Sequence, residues 1–183
     1  MSAEPLEFPD GAAWTAWLAA HQETTSEAWL RIGKKNAGSG LLAIGDALDG
    51  ALCFGWIDAQ RKGFDEISFL QRYCRRTARS SWSQVNVAKA EALIAAGRMQ
   101  DPGYAEIAAA QADGRWAAAY VPQRDAEPPE ELIAALTARP AALTAFEALS
   151  RSERYLLYLP VLKAVGAPAR GRAVERVVAS LTA

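Results

Sequence analysis

Six cations lie between positions 61 and 79 of this chain: Arg61, Lys62, Arg72, Arg75, Arg76 and Arg79. Only two acids, Asp65 and Glu66, stand among them, so six minus two leaves a local charge of +4 in a chain whose formal net charge is −1. Such a cluster is the footprint of an anion site for phosphate, carboxylate or a nucleic-acid backbone. Tyr73 and Trp82 are close enough in sequence to stack on a base or ring. The plainer alternative is a solvated hairpin whose arginines pair with acids of the C-terminal part.

Asp58 adds a carboxylate to this region. It follows Trp56 and Ile57 at the edge between an apolar run, "ALCFGWI", and water. A half-buried carboxylate near arginines is either a structural ion pair or a site residue. Strand alternation puts Arg72, Cys74 and Arg76 on one face. Asp58 and Arg72 are therefore expected to meet on neighbouring strands, with Arg76 and Trp82 around the same depression. Asp46 and Asp49 fall on the polar side of the preceding segment and read as solvated.

The remaining chemistry is sparse. Cys74, flanked by Arg72, Arg75 and Arg76, is a candidate nucleophile, but no base stands beside it in sequence. The single histidine, His21, belongs to a helix end. His21, Cys53 and Cys74 form no metal-ligand spacing, so no metal is expected. "GSG" around Ser39 is too short for a phosphate loop, and neither GxGxxG nor GxxxxGK occurs. No catalytic set emerges and no cofactor is implied. The reading leans towards a non-enzymatic binding protein that holds a small anionic ligand or a protein partner at the basic hairpin. One alternative is a nucleic-acid binder using the same hairpin, against which the net charge counts. Another is an enzyme of unknown reaction using Asp58 or Cys74.

The elements that must position these residues follow from pattern. With 51% hydrophobic and 22% charged residues, the 183-residue chain has the composition of a folded globular protein. No run of 18 apolar residues predicts a membrane-spanning helix. The acidic start "MSAEPLEFPDG" has neither a basic region nor an apolar core of a secretory signal. A cytoplasmic location with reduced cysteines is expected.

"PDGAAWTAWLAAH" spaces Trp14, Trp17 and Leu18 as a helical face. "EAWLRIGKK" alternates as a strand, and "NAGSG" reads as a loop. Ala47, Leu48, Ala51 and Leu52 mark an amphipathic helix stopped by Gly55. "WIDAQRKGF" and "ISFLQRYCRR" predict an antiparallel hairpin turning near Asp65-Glu66. Ser83 and Gly97 bracket a further helix, and another ends at Gly114. "VPQRDAEPPE" is the best linker in the chain. Helical patterns run to the end, with a Ser150–Glu153 capping box and Pro168 in a first turn. The fold class expected is α+β: a small antiparallel sheet packed with helices (residues 1–120), a linker (121–130) and a C-terminal all-helical lobe (131–183).

The segments "ALCFGWIDA", "RYCRRT", "SSWSQVN" and "LIAAGRM", in this order, resemble the bacteriocin-protection, YdeI/OmpD-associated family, as does the helical C-terminal stretch from "PPEELIAALTARPAALTAFEALS" to "PARGRAVERVVASL". Against the family pattern, Ala59 replaces a glycine, Cys74-Arg75 stands for Thr-Pro, and Thr77 takes the place of a second paired arginine, so an anion site built on that pair is altered, with Arg75 or Arg79 as candidate substitutes. Carried over by position, the motif residues are Trp56, Asp58, Arg72, Arg76, Ser80, Trp82, Ser83, Asn86, Gly97 and Met99. Of these, Trp56, Asp58, Arg72, Arg76, Trp82 and Asn86 are the ligand-binding candidates. The resemblance implies tolerance of bacteriocins or antimicrobial peptides and association with an outer-membrane porin. It implies no known reaction.

Overall fold

The structure, a computed structural model, describes residues 4–35, 38 and 40–182. Ser39 of the "GSG" segment lies outside them. In chain order the elements are α1 (Gly11–His21), β1 (Glu27–Gly33), α2 (Ile44–Cys53), β2 (Trp56–Gly63), β3 (Ser68–Arg75), α3 (Gln84–Ala95), α4 (Asp101–Ala112), α5 (Glu130–Thr137), α6 (Pro140–Ala148), α7 (Arg151–Leu162) and α8 (Ala167–Ser180). This is the α+β arrangement expected, with a three-stranded antiparallel sheet followed by an all-helical C-terminal region. The chain divides into two units: Met1–Ser80 with Ala88–Ala110, and Ser81–Val87 with Gln111–Ala183.

In the first unit β3 is the central strand, paired antiparallel with β1 on one side and β2 on the other. Alternation sorts its residues between two faces. Tyr73 and Gln71 are buried together with Ala28, Leu30 and Ile32 of β1 on the inner face. Arg72 and Cys74 take the outer face with Glu27, Trp29 and Arg31. Trp14 and Leu18 of α1 are fully buried, and the Trp14 ring lies 6.0 Å from Tyr73 and 6.3 Å from Trp56. The Nε1–H of Trp14 donates to the Ala47 carbonyl at 3.0 Å, which fixes α1 against α2.

Between α2 and β2 the chain reverses at Gly55, whose φ of +71° belongs to the left-handed region. A Cβ there would also lie 2.8 Å from the Pro102 carbonyl oxygen. Gly103 of α4 has as little room, because a Cβ would run into the Met99 sulfur and the Cys53 carbonyl. Two close approaches thus pin α4 to the end of α2, and the Gln100 N–H closes the corner on the Cys53 carbonyl at 3.1 Å.

The hairpin turn is organised by Asp65. One carboxylate oxygen accepts from the Ile67 and Ser68 amides and the Ser68 hydroxyl, at 3.0, 2.7 and 2.6 Å. The other meets Arg31 at 2.6 Å. Hydrogen bonding from Ser68, then from Arg31 and the two amides, holds this carboxyl below the usual carboxylate range.

The second unit has its own core: Leu132 and Leu136 of α5, Ala142 and Phe146 of α6, Tyr155, Tyr158 and Val161 of α7, and Val174, Val177 and Val178 of α8. The Ser150–Glu153 capping box forms in full, and Pro168 occupies the first turn of α8. Residues 121–130, read as a linker, run along α7. Tyr155 and Tyr158 donate to the carbonyls of Val121 and Ala126 at 3.3 and 3.2 Å. Arg151 donates to the Arg124 carbonyl at 2.7 Å.

Candidate functional site

The register between β2 and β3 decides what the basic hairpin can do. Trp56 faces Arg75, Ile57 faces Cys74 and Asp58 faces Tyr73. The next pair is Arg61 with Gln71, so β2 carries one extra residue and Ala59 and Gln60 together oppose Arg72. Residues opposite each other share a face, so Trp56, Arg75, Asp58 and Tyr73 form two rows on the inner face.

Asp58 and Arg72 consequently lie on opposite faces, and the pairing expected between them is not made. Arg72 forms its ion pair across the sheet with Glu27 of β1, at 2.7 Å. Asp58 is exposed and makes no ion pair among the described residues. Arg61 shares its face but is engaged elsewhere, donating to Gln71 at 2.9 Å with its guanidinium 4.5 Å from the Phe69 ring centroid.

Trp56 is fully buried and opens β2. Arg76 follows the end of β3, is 4% exposed, and donates its backbone N–H to the Gly55 carbonyl at 3.0 Å. Trp82 and Asn86 belong to the second unit. There the Trp82 ring is edge-on to Trp116 at 4.7 Å, and the Asn86 backbone N–H donates to the Ser83 hydroxyl that caps α3. Of the six candidates, the structure thus brings Trp56 and Asp58 together on one face and places Arg72 on the other.

The inner-face rows have an unusual polar balance. Trp56 Nε1, the Tyr73 hydroxyl, and Nε and Nη2 of Arg75 are buried without a hydrogen-bond partner. A buried donor left unmatched costs about 1–3 kcal/mol, and such groups in folded proteins call for an acceptor. Trp56 and Arg75 offer donors only. Burial pushes the Tyr73 phenol well above its ordinary pKa and the Asp58 charge pushes it further, so at neutral pH the hydroxyl keeps its proton.

Two of these groups are not among the six sequence candidates: Arg75, expected at most to substitute with Arg79 for the missing paired arginine, and Tyr73, expected only as a stacking ring. Asp49, expected to be solvated, is ion-paired instead. It is bound by Lys89 at 2.8 Å, with Arg98 at 3.8 Å, because α3 brings Lys89 back against α2 from 40 positions downstream.

Other features are less equipped for ligands. Cys74 lies on the outer face between Glu27 and Ile57 in register. The exposed His21 ring stacks on Trp17 at 4.6 Å, its Nδ1 bonded to the Trp17 carbonyl. Among the described residues no group of three His, Cys, Asp or Glu is placed to hold a metal ion. A depression of about 400 Å³ in the second unit is walled by Arg151, Arg154 and Tyr158, but Arg154 is committed to the carbonyls of Leu149 and Glu147. None of the described helices is long and apolar enough to cross a membrane.

The fold and this donor-rich hairpin define a two-part chain, an α+β unit whose largely apolar inner sheet face carries unmatched donors, and a helical unit. The chain belongs to the family described as a domain of unknown function, DUF8412, matched over residues 6–106, and carries at residues 125–183 a domain of the family described as bacteriocin-protection, YdeI or OmpD-associated. The motif residues from Trp56 to Met99 fall in the first of these segments. No curated protein and no solved structure matches the chain.

Proposed function

We propose that this is a non-enzymatic binding protein that holds a small anion at the root of the β2–β3 hairpin. The observation that carries the reading is the pair Trp56 and Arg75, opposite each other across two strands, with Nε1, Nε and Nη2 buried and unmatched. Three donors without an acceptor suit a carboxylate or phosphate oxygen, and a guanidinium binds such groups through its planar fork. The carboxylate opposite Cys74, that of Glu27, is held in an ion pair by Arg72, and Asp58 faces a protonated tyrosine, which favours binding over catalysis. The two free thiols, Cys53 and Cys74, support a reducing compartment, hence the cytoplasm. The C-terminal domain's family description supports a role in tolerance of bacteriocins or related stress.

Thermal shift and calorimetry with inorganic phosphate, sulfate and acetate test this directly. A ligand at 100 times its Kd should stabilise the chain by about 2.7 kcal/mol. Arg75→Gln should abolish the shift. Equal shifts in wild type and variant would remove the site from the hairpin.

A further inference from the structure

We infer that the ligand is a small zwitterion of the α-amino acid type, its carboxylate taken by Trp56 and Arg75 and its ammonium by Asp58. This rests on the anion reading and adds the second charge. The two cross-strand rows supply opposite chemistry. Trp56 and Arg75 present donors only, whereas Asp58, in the next row on the same face, presents a carboxylate with no ion pair among the described residues.

Rows two residues apart along a strand are separated by about 6.6–6.8 Å. The two rows are neighbours on one face, so a ligand that spans them carries its two charges close together, which favours one intervening carbon over a longer chain. The Tyr73 hydroxyl, opposite Asp58 and two positions from Arg75, is buried and unmatched. Its protonated hydroxyl adds one more donor for the carboxylate. The polarity of the site is also directional. Trp56 is fully buried and Asp58 exposed, so the carboxylate enters first and the ammonium stays at the rim. The Trp14 ring, 6.3 Å from Trp56 and 6.0 Å from Tyr73, lowers the local dielectric and strengthens both contacts.

Calorimetry on the full chain with glycine and alanine, set against acetate, propionate and ethylamine, tests the assignment. Alanine should bind at least about tenfold tighter than propionate, the worth of one charge-assisted contact. Asp58→Asn, at an exposed position, should bring alanine down to the affinity of propionate, while propionate, relieved of a like charge, should bind no more weakly than to wild type. Arg75→Gln should lose both, and Trp56→Phe, which keeps a ring and removes one donor, should weaken both together. If propionate binds as tightly as alanine and Asp58→Asn changes neither, the anion reading stands and the zwitterion assignment is overturned. If no carboxylate or amino acid binds the folded wild type, both fall.

Discussion

Trp56 and Arg75 stand directly opposite one another, the first residue of β2 against the last of β3, and neither side chain satisfies its buried donors. The tryptophan is also a packing element, edge-on to Trp14 and Trp17 at 6.3 and 6.4 Å. Its two roles separate by mutation. Trp56→Ala should cost about 3–5 kcal/mol in urea denaturation, whereas Trp56→Phe should cost much less while weakening anion binding. A loss below 1 kcal/mol for the alanine variant would contradict the core role.

Arg75 should trade stability against binding. Replacing it with methionine removes buried unmatched donors and keeps much of the apolar stem. The ligand-free variant should therefore be at least as stable as wild type, since each such donor costs about 1–3 kcal/mol. Its response to phosphate or carboxylate should vanish. A variant more than 1 kcal/mol less stable without ligand would show that the guanidinium is satisfied within the protein.

Asp65 gives the hairpin a defined acid sensitivity. Its carboxyl is held below the ordinary value, so the folded state binds its proton less readily than the unfolded chain. The stabilisation is complete above the unfolded pKa of about 3.9 and is lost as pH falls through the lower folded value. Asp65→Asn should be less stable than wild type at neutral pH, and the difference should close at strongly acid pH. A gap independent of pH would assign the effect to the turn's shape instead of its charge.

The segment along α7 should loosen when its tyrosine contacts are cut. Tyr158 is 3% exposed and donates to the Ala126 carbonyl. Tyr158→Phe should cost about 0.5–1.5 kcal/mol and speed tryptic cleavage after the exposed Arg124. Unchanged cleavage would mean that packing alone holds the segment.

Much of this architecture was legible because it is written locally. Gly55 ends α2, Ser83 caps α3 and Ser150 with Glu153 opens α7, each within a few residues of the element it bounds. The hairpin was visible for the same reason. The pairing of Asp58 with Arg72 was misjudged because facing depends on register, and a one-residue offset exchanges every side chain between faces. The partner Arg72 does take, Glu27, lies 45 positions away on a strand whose place beside β3 no short-range pattern reveals. Asp49 was missed for a like reason, its partner Lys89 being distant in the chain. The unmatched donors of Trp56, Tyr73 and Arg75 have no sequence signature at all, because being unmatched is a property of the packed interior.

The extra residue at Ala59–Gln60 has a bearing on how copies of this chain behave when crowded. β2 is an outer strand of the sheet, with a row of main-chain groups on its far side. A flat strand in that position is a template onto which another molecule's strand can add, molecule after molecule. The irregularity between Asp58 and Arg61 twists this rim, and Arg61 and Lys62 place two positive charges beside it. Incoming strands then meet both a broken hydrogen-bond ladder and like-charge repulsion from their own hairpins. The bulge that separates Asp58 from Arg61 thereby also guards the protein against fibrous self-association.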